Sequence, residues 1–176
     1  MTMIDIGMLI VRVIIGLTFF GHGTQKLFGW FGGGGIAGTE KMMARMEAAP
    51  LKFWAYVLGL SEALGGLGLL FGFLTPLAAA VIVGVMLVAI FRVHWKNGFW
   101  NTNRGIEFPL LNLGVALMLG LAGPGTISLD ALFGFRYSDP VTFLIALIIV
   151  ILGVIISMVS GEIIGQFGQH QNQVNG

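Results

Sequence analysis

The chain has 176 residues, of which 56% are hydrophobic and 10% charged, and a formal net charge of +1. A soluble domain carries about 25% charged residues, so water is not its main solvent, and the charge balance gives no reason to expect nucleic acid. The absence of cysteine excludes disulfides, thiolate metal sites and a thiol redox cycle carried by the chain itself.

The apolar residues fall into blocks long enough to cross a hydrocarbon core, which takes roughly 20 helical residues. The first predicted span covers residues 6–26 and carries Arg12, His22, Gln25 and Lys26. No basic leader precedes it and no small-residue cleavage site follows, so it reads as a retained helix. After the glycines of residues 29–35, residues 39–50 set Met42, Met43 and Met46 among Lys41, Arg45 and Glu47. This pattern reads as a short amphipathic helix on the membrane surface, against the plainer alternative of a polar loop. The second span, residues 53–73, holds one ionisable group, Glu62. Thr75-Pro76 offers a capping hydroxyl and an early helical proline, which predicts a tight hairpin into the third span, running to about residue 93.

A polar, aromatic loop, residues 95–106, leads to a short fourth span from Glu107 to about residue 121, closed by the turn Gly123-Pro124-Gly125. A fifth block, residues 141–164, is almost wholly aliphatic, and residues 166–176 form a polar tail. The expected fold is therefore an all-α integral membrane bundle: a four-helix domain over residues 1–134, and one added transmembrane helix over residues 135–165. Glycines within the spans predict close helix contact, with Gly59, Glu62 and Gly66 on one face of the second span. We call the end reached by the first span side B and the opposite end side A. Lys26, Lys41, Arg45, Lys52, Arg92, Lys96 and Arg104 gather at side B, whereas side A has only Arg136 in a loop. The positive-inside rule places side B in the cytoplasm, and Trp30, Trp54, Trp95 and Trp100 fall at the same level.

Ionisable residues inside a span are costly unless paired or wetted, which makes them site candidates. Measured from side B, Arg12 lies roughly 21 Å deep and Glu62 roughly 14 Å deep at 1.5 Å per residue, a gap that a guanidinium can bridge between neighbouring spans. This pair is either a structural salt bridge or part of a ligand or proton site. A second group, His22, Gln25, Lys26, His94 and Glu107, collects near side B, where a histidine can relay protons or bind a quinone carbonyl. The anchoring alternative for these residues stays open. Their spacing matches no metal-ligand motif, and no metal is expected.

Several stretches together resemble the DoxX family of small membrane proteins. They are Arg12 and Gly16 with Gly21-His22-Gly23-Thr24-Gln25-Lys26-Leu27-Phe28-Gly29, then Glu62 with Gly65-Gly66, and Gly72 through Thr75-Pro76. His94, Asn97-Gly98-Phe99 and Glu107 follow, and then Gly123-Pro124-Gly125-Thr126-Ile127-Ser128-Leu129-Asp130. The resemblance covers about residues 6–134. It implies a four-helix core in a bacterial plasma membrane and a tie to terminal-oxidase or thiosulfate:quinone oxidoreductase complexes. The candidate ligand or proton-relay residues are Arg12, His22, Lys26, Glu62, His94 and Glu107. No cofactor is fixed by the residues, and quinone is the one the resemblance points to. The expected partners are membrane lipid and a soluble or membrane redox protein, with a homo-oligomer compatible. The rival reading is a non-catalytic adaptor or a carrier of small solutes or lipid.

Overall fold

A computed structural model describes residues 2–135 and 140–174, with side chains described to residue 160. Arg136, counted above for side A, lies outside the described residues. Among the described residues four helices are long and apolar enough to cross a membrane: α1 (Met3–Phe28), α3 (Leu51–Phe71), α4 with its extension (Thr75–Asn97), and the Pro140–Ser160 part of α7 (Pro140–Val174). Helix α5 (Glu107–Ala122) is apolar but has only 16 residues, roughly 24 Å of rise. Helix α2 (Gly35–Arg45) and the one-turn α6 (Leu129–Leu132) complete the set. There is no strand among the described residues. Helix α7 continues through most of the stretch expected to form the polar tail.

Each helix starts and stops for a local reason. At the start of α1, Thr2 and Asp5 form a reciprocal capping box. Its last turn ends at Gly29, whose φ of 75° lies in the left-handed region where a side chain is disfavoured. Helix α3 begins after Pro50 and ends at Gly72, φ 62°. Helix α4 does not use the Thr75 hydroxyl as a cap, contrary to the sequence expectation. Leu74 occupies the cap position with φ 47°, and the two exposed backbone donors are satisfied from elsewhere. Leu74 N donates to Asp130 Oδ1 at 2.7 Å and Thr75 N donates to Asp130 Oδ2 at 2.9 Å. A carboxylate at a helix N-terminus also complements the helix dipole.

The bundle is organised around the antiparallel pair α1 and α3. A Cβ added at Gly16 would lie 2.6 Å from Leu70 N, and one at Gly23 would lie 2.7 Å from Ala63 Cβ. Gly66 meets the backbone of Phe19 and Phe20 in the same way. Backbones this close gain dispersion along the whole seam, the usual driving force for helix association in lipid. As expected, the face of α3 bearing Gly59, Glu62 and Gly66 is turned to α1. Helix α4 packs back on α3, with Gly65 against Ile82 and Gly68 against Ala78. Helix α7 runs parallel to α4 along Gly84–Val150 and Arg92–Met158, and Phe143 fills the space above Gly120 of α5. Helix α2 lies at side B, with Thr39 and Met43 buried and Met43 and Met46 packed in one cluster with Ala55 of α3.

Filling the α1–α3 seam should therefore be costly where filling open space is not. Gly16→Val is expected to destabilise the protein by about 1–3 kcal/mol, the range for overpacking. Gly21→Ala, whose added Cβ meets nothing within 4 Å, should leave the midpoint of detergent unfolding at or above that of the wild type.

Candidate ligand site and the buried charges

The structure separates the six sequence-nominated residues into three places. Arg12 is one of the most buried side chains, at 1% exposure, and it does not meet Glu62. Its Nη2 donates to the carbonyl of Ile127, and Asp130, also 1% exposed, is the acid whose charge reaches it. A Cβ at Gly72 would fall on its guanidinium, so that glycine is required for space as well as for its positive φ. Arg12 Nε and Nη1 and Thr75 Oγ1 are buried without a hydrogen-bond partner among the described residues. The α1–α3 register explains why the expected pair does not form. Contacts 16–70 and 23–63 place Glu62 opposite the Gly23–Thr24 level, whereas Arg12 reaches the α3–α4 turn.

The turn at residues 123–130 is the structural hub of side A. Its Thr126 N donates to Asp5 Oδ1 at 3.0 Å, and Asp130 N donates to Gly72 O at 2.9 Å. With the Ile127 carbonyl on Arg12 and the Asp130 carboxylate on Leu74 and Thr75, one turn fastens α1, α3 and α4. Asp5 and Asp130 were not nominated from sequence. The signal for Asp130 was available, since it is the only acid between Glu107 and Asp139 and ends a turn that resembles the family's.

Lys26 and Glu62 form the second place. Lys26 Nζ makes an ion pair with Glu62 Oε2, with side-chain exposures of 21% and 6%. His22 is near enough to act on Glu62 electrostatically. Thr39 of α2 donates to the Lys26 carbonyl at 3.0 Å, tying the pair to the side B cover. Glu62 is thus answered by the lysine at its own level in the bilayer.

His94 and Glu107 are the third place, and no described hydrogen bond joins them to Lys26. His94 Nδ1 lies 2.6 Å from the Arg104 carbonyl, which can only accept, so Nδ1 carries the proton and Nε2 is left open. Asn97 Nδ2 donates to the same carbonyl at 3.1 Å. Glu107 Oε2 accepts from Asn101 N at 2.8 Å, and Glu107 N donates to Phe99 O at 2.9 Å. Together they close the loop between α4 and α5. Among the described residues no group of three His, Cys, Asp or Glu side chains could hold a metal.

None of the six lines the cavity of the bundle, which has a volume of about 220 Å³. It lies between α2, α3, α4 and α7, and its wall is mostly aliphatic: Val57 and Leu58, then Val81, Val85 and Val88, then Val150 and Val154. Met43 of α2 and Met46 just after it cover one part, and Ser61, Trp54, Arg92 and Ser157 are the lining residues with polar side chains. Ser61 precedes Glu62, so α3 turns one face to the Lys26 pair and the adjacent face to the cavity. The cavity was not legible in the sequence because α7 forms one of its walls, and α7 is the last helix of the chain.

A helical bundle with buried, internally answered charges and lipid-length apolar helices defines a small polytopic membrane protein. The DoxX family pattern matches residues 7–95, and the chain belongs to the DoxX family. It is 31% identical over 136 residues, covering 76% of this chain and 96% of the relative, to "Inner membrane protein YqjF" of Escherichia coli strain K12. It is also 31% identical over 126 residues, covering 72% of this chain and 86% of the relative, to "Putative oxidoreductase CatD" of Bacillus subtilis strain 168. No solved structure matches it. The family, the apolar helices and the Escherichia coli relative together make it an integral membrane protein of the bacterial inner membrane.

Double-mutant cycles distinguish the charge sets. Glu62→Gln and Lys26→Met should couple by about 0.5–3 kcal/mol, as contacting residues do, whereas Glu62→Gln and Arg12→Met should add within about 0.5 kcal/mol. Detergent unfolding of the three single and two double variants measures both terms.

Proposed function

We propose that this protein is a membrane component of a redox system that holds an amphipathic ligand between its helices. The observation that carries this reading is the cavity of about 220 Å³ between α2, α3, α4 and α7. A wall of valine, leucine and methionine gives no direction to a polar solute, but it suits an alkyl or prenyl chain. Met43 and Met46 add an adaptable cover, because methionine fills irregular space at low cost. The link to redox chemistry is supported by the name of the Bacillus subtilis relative. The chain itself has no cysteine, so the electron-carrying group would belong to the ligand or to a partner protein. Quinone is one ligand of this kind.

The second reading is a lipid carrier or adaptor. It is supported by the structural employment of Arg12, Lys26, Glu62, His94 and Glu107, each of which fastens helices or a loop.

Organic extraction of gently purified protein tests the cavity, with Ser61→Phe as the blocking variant. We expect about one amphiphile per wild-type chain and a loss of most of it in Ser61→Phe at unchanged protein yield. A quinone in the extract supports the redox reading, and phospholipid alone supports the carrier. Equal amphiphile content in the wild type and Ser61→Phe would contradict a ligand in this cavity.

A further inference from the structure

The cavity has a polar end and an apolar end. Its lining positions on α4 run from Val81 through Gly84, Val85 and Val88 to Arg92, a slot roughly 16 Å long at 1.5 Å per residue. Helix α7 runs parallel to α4, so Val150 lies beside Gly84 at the deep end and Ser157 comes level with Arg92. Helix α3 runs the opposite way, which brings its first lining residue, Trp54, to the same end as Arg92. Three of the four polar-bearing lining residues therefore meet at side B, and the depth of the slot is aliphatic apart from Ser61.

Two of those three polar groups are already engaged. Trp54 Nε1 donates to the Ala49 carbonyl at 3.1 Å, and Ser157 Oγ donates to the Val154 carbonyl at 2.7 Å. Arg92 is different. Its Nη2 donates to the Met158 carbonyl at 2.6 Å, and that is one of the five N–H donors of a guanidinium. Among the described residues it is the one charged side chain lining the cavity, and no carboxylate lines it. Arg92 also lies in a π-helical turn, Ala89–His94, at the end of α4, a local winding often found at functional sites.

We infer that the ligand of this cavity is an acidic amphiphile: an alkyl chain occupying the slot toward Val81 and Val150, with an anionic headgroup held by Arg92 at side B. The inference rests on the cavity reading above and narrows it: an acidic lipid as occupant favours the carrier over a ligand-borne redox group, and a neutral quinone in the slot would count against it. A guanidinium grips a phosphate or carboxylate with paired N–H donors. Arg45 and Lys52 flank the α2–α3 junction that carries Met46 and Ala48, and with Glu47 between them they leave this end net positive. The volume agrees with a partial occupant. Pockets that enclose a whole small molecule measure about 300–1,000 Å³, and this one is smaller, so the headgroup remains at the surface.

The test uses the full-length protein in nanodiscs of equal parts phosphatidylglycerol and phosphatidylethanolamine. The protein is then transferred to mild detergent, washed, and its retained lipid identified by mass spectrometry. Wild type, Arg92→Gln, Arg92→Lys and Ser61→Phe are compared, with the detergent unfolding midpoint as a control for folding. In the wild type, phosphatidylglycerol should be retained in preference to phosphatidylethanolamine. Arg92→Gln should reduce that preference about ten-fold, the size expected for losing one hydrogen bond to a charged group. Arg92→Lys keeps the charge without the paired donors and should fall between the wild type and Arg92→Gln, which separates the charge from the fork. Ser61→Phe should remove both lipids. An unchanged headgroup preference in a folded Arg92→Gln variant would overturn the inference and leave the cavity reading standing. A wild-type protein that retains no lipid would overturn both.

Discussion

The contact on which the rest of the structure depends is the glycine seam between α1 and α3. In lipid there is little hydrophobic gain from pressing two helices together, so close backbone approach must supply the stability. Gly16, Gly23 and Gly66 permit that approach, and in doing so they fix the axial register of the pair. The register then assigns the charges. Glu62 faces Lys26, and Arg12 is carried to the α3–α4 turn, where Gly72 has no side chain to displace it.

Arg12 is buried there, and the Ile127 carbonyl and the charge of Asp130 answer part of its guanidinium, with Nε and Nη1 unpartnered among the described residues. Asp130 has a second task, because its two oxygens also cap α4. The closing turn therefore cannot be read as a simple connector. It joins the first and last parts of the family core through α1, α3 and α4, so that α5 returns to side A at one defined position. Helix α7 is then laid along α4, and the gap left between α3, α4, α7 and the overlying α2 is the cavity. Ligand space at side B thus follows from packing that is determined at side A.

Much of this order was legible in the sequence. The helices, the hairpin at residues 72–76, a helix over the first part of the methionine-bearing stretch and the packing role of Gly59 and Gly66 all follow from local pattern, though the fourth expected span, α5, is shorter than a full crossing. What failed was pairing across helices. Depth along a span suggested that Arg12 could reach Glu62, but depth ignores register, and register depends on which glycines meet. The capping role given to Thr75 failed for a similar reason: the true cap, Asp130, lies 55 residues further along the chain. His94 and Glu107 were singled out as a possible site with Lys26, and their hydrogen bonds instead close their own loop. The cavity escaped because no single segment carries it, and Arg92 stood out in the sequence only as one cation among several at side B.

The register of α1 against α3 is the claim from which the other assignments descend, and it can be measured directly. The chain has no cysteine, so paired cysteines report on one contact at a time, and a disulfide needs Cα atoms within about 7 Å. Leu27→Cys with Gly59→Cys should cross-link on mild oxidation in native membranes, because a Cβ at Gly59 closely approaches only the outer Leu27 atoms that the first change removes, whereas Arg12→Cys with Glu62→Cys should not. Cross-linking of the 12–62 pair in place of the 27–59 pair would contradict the account.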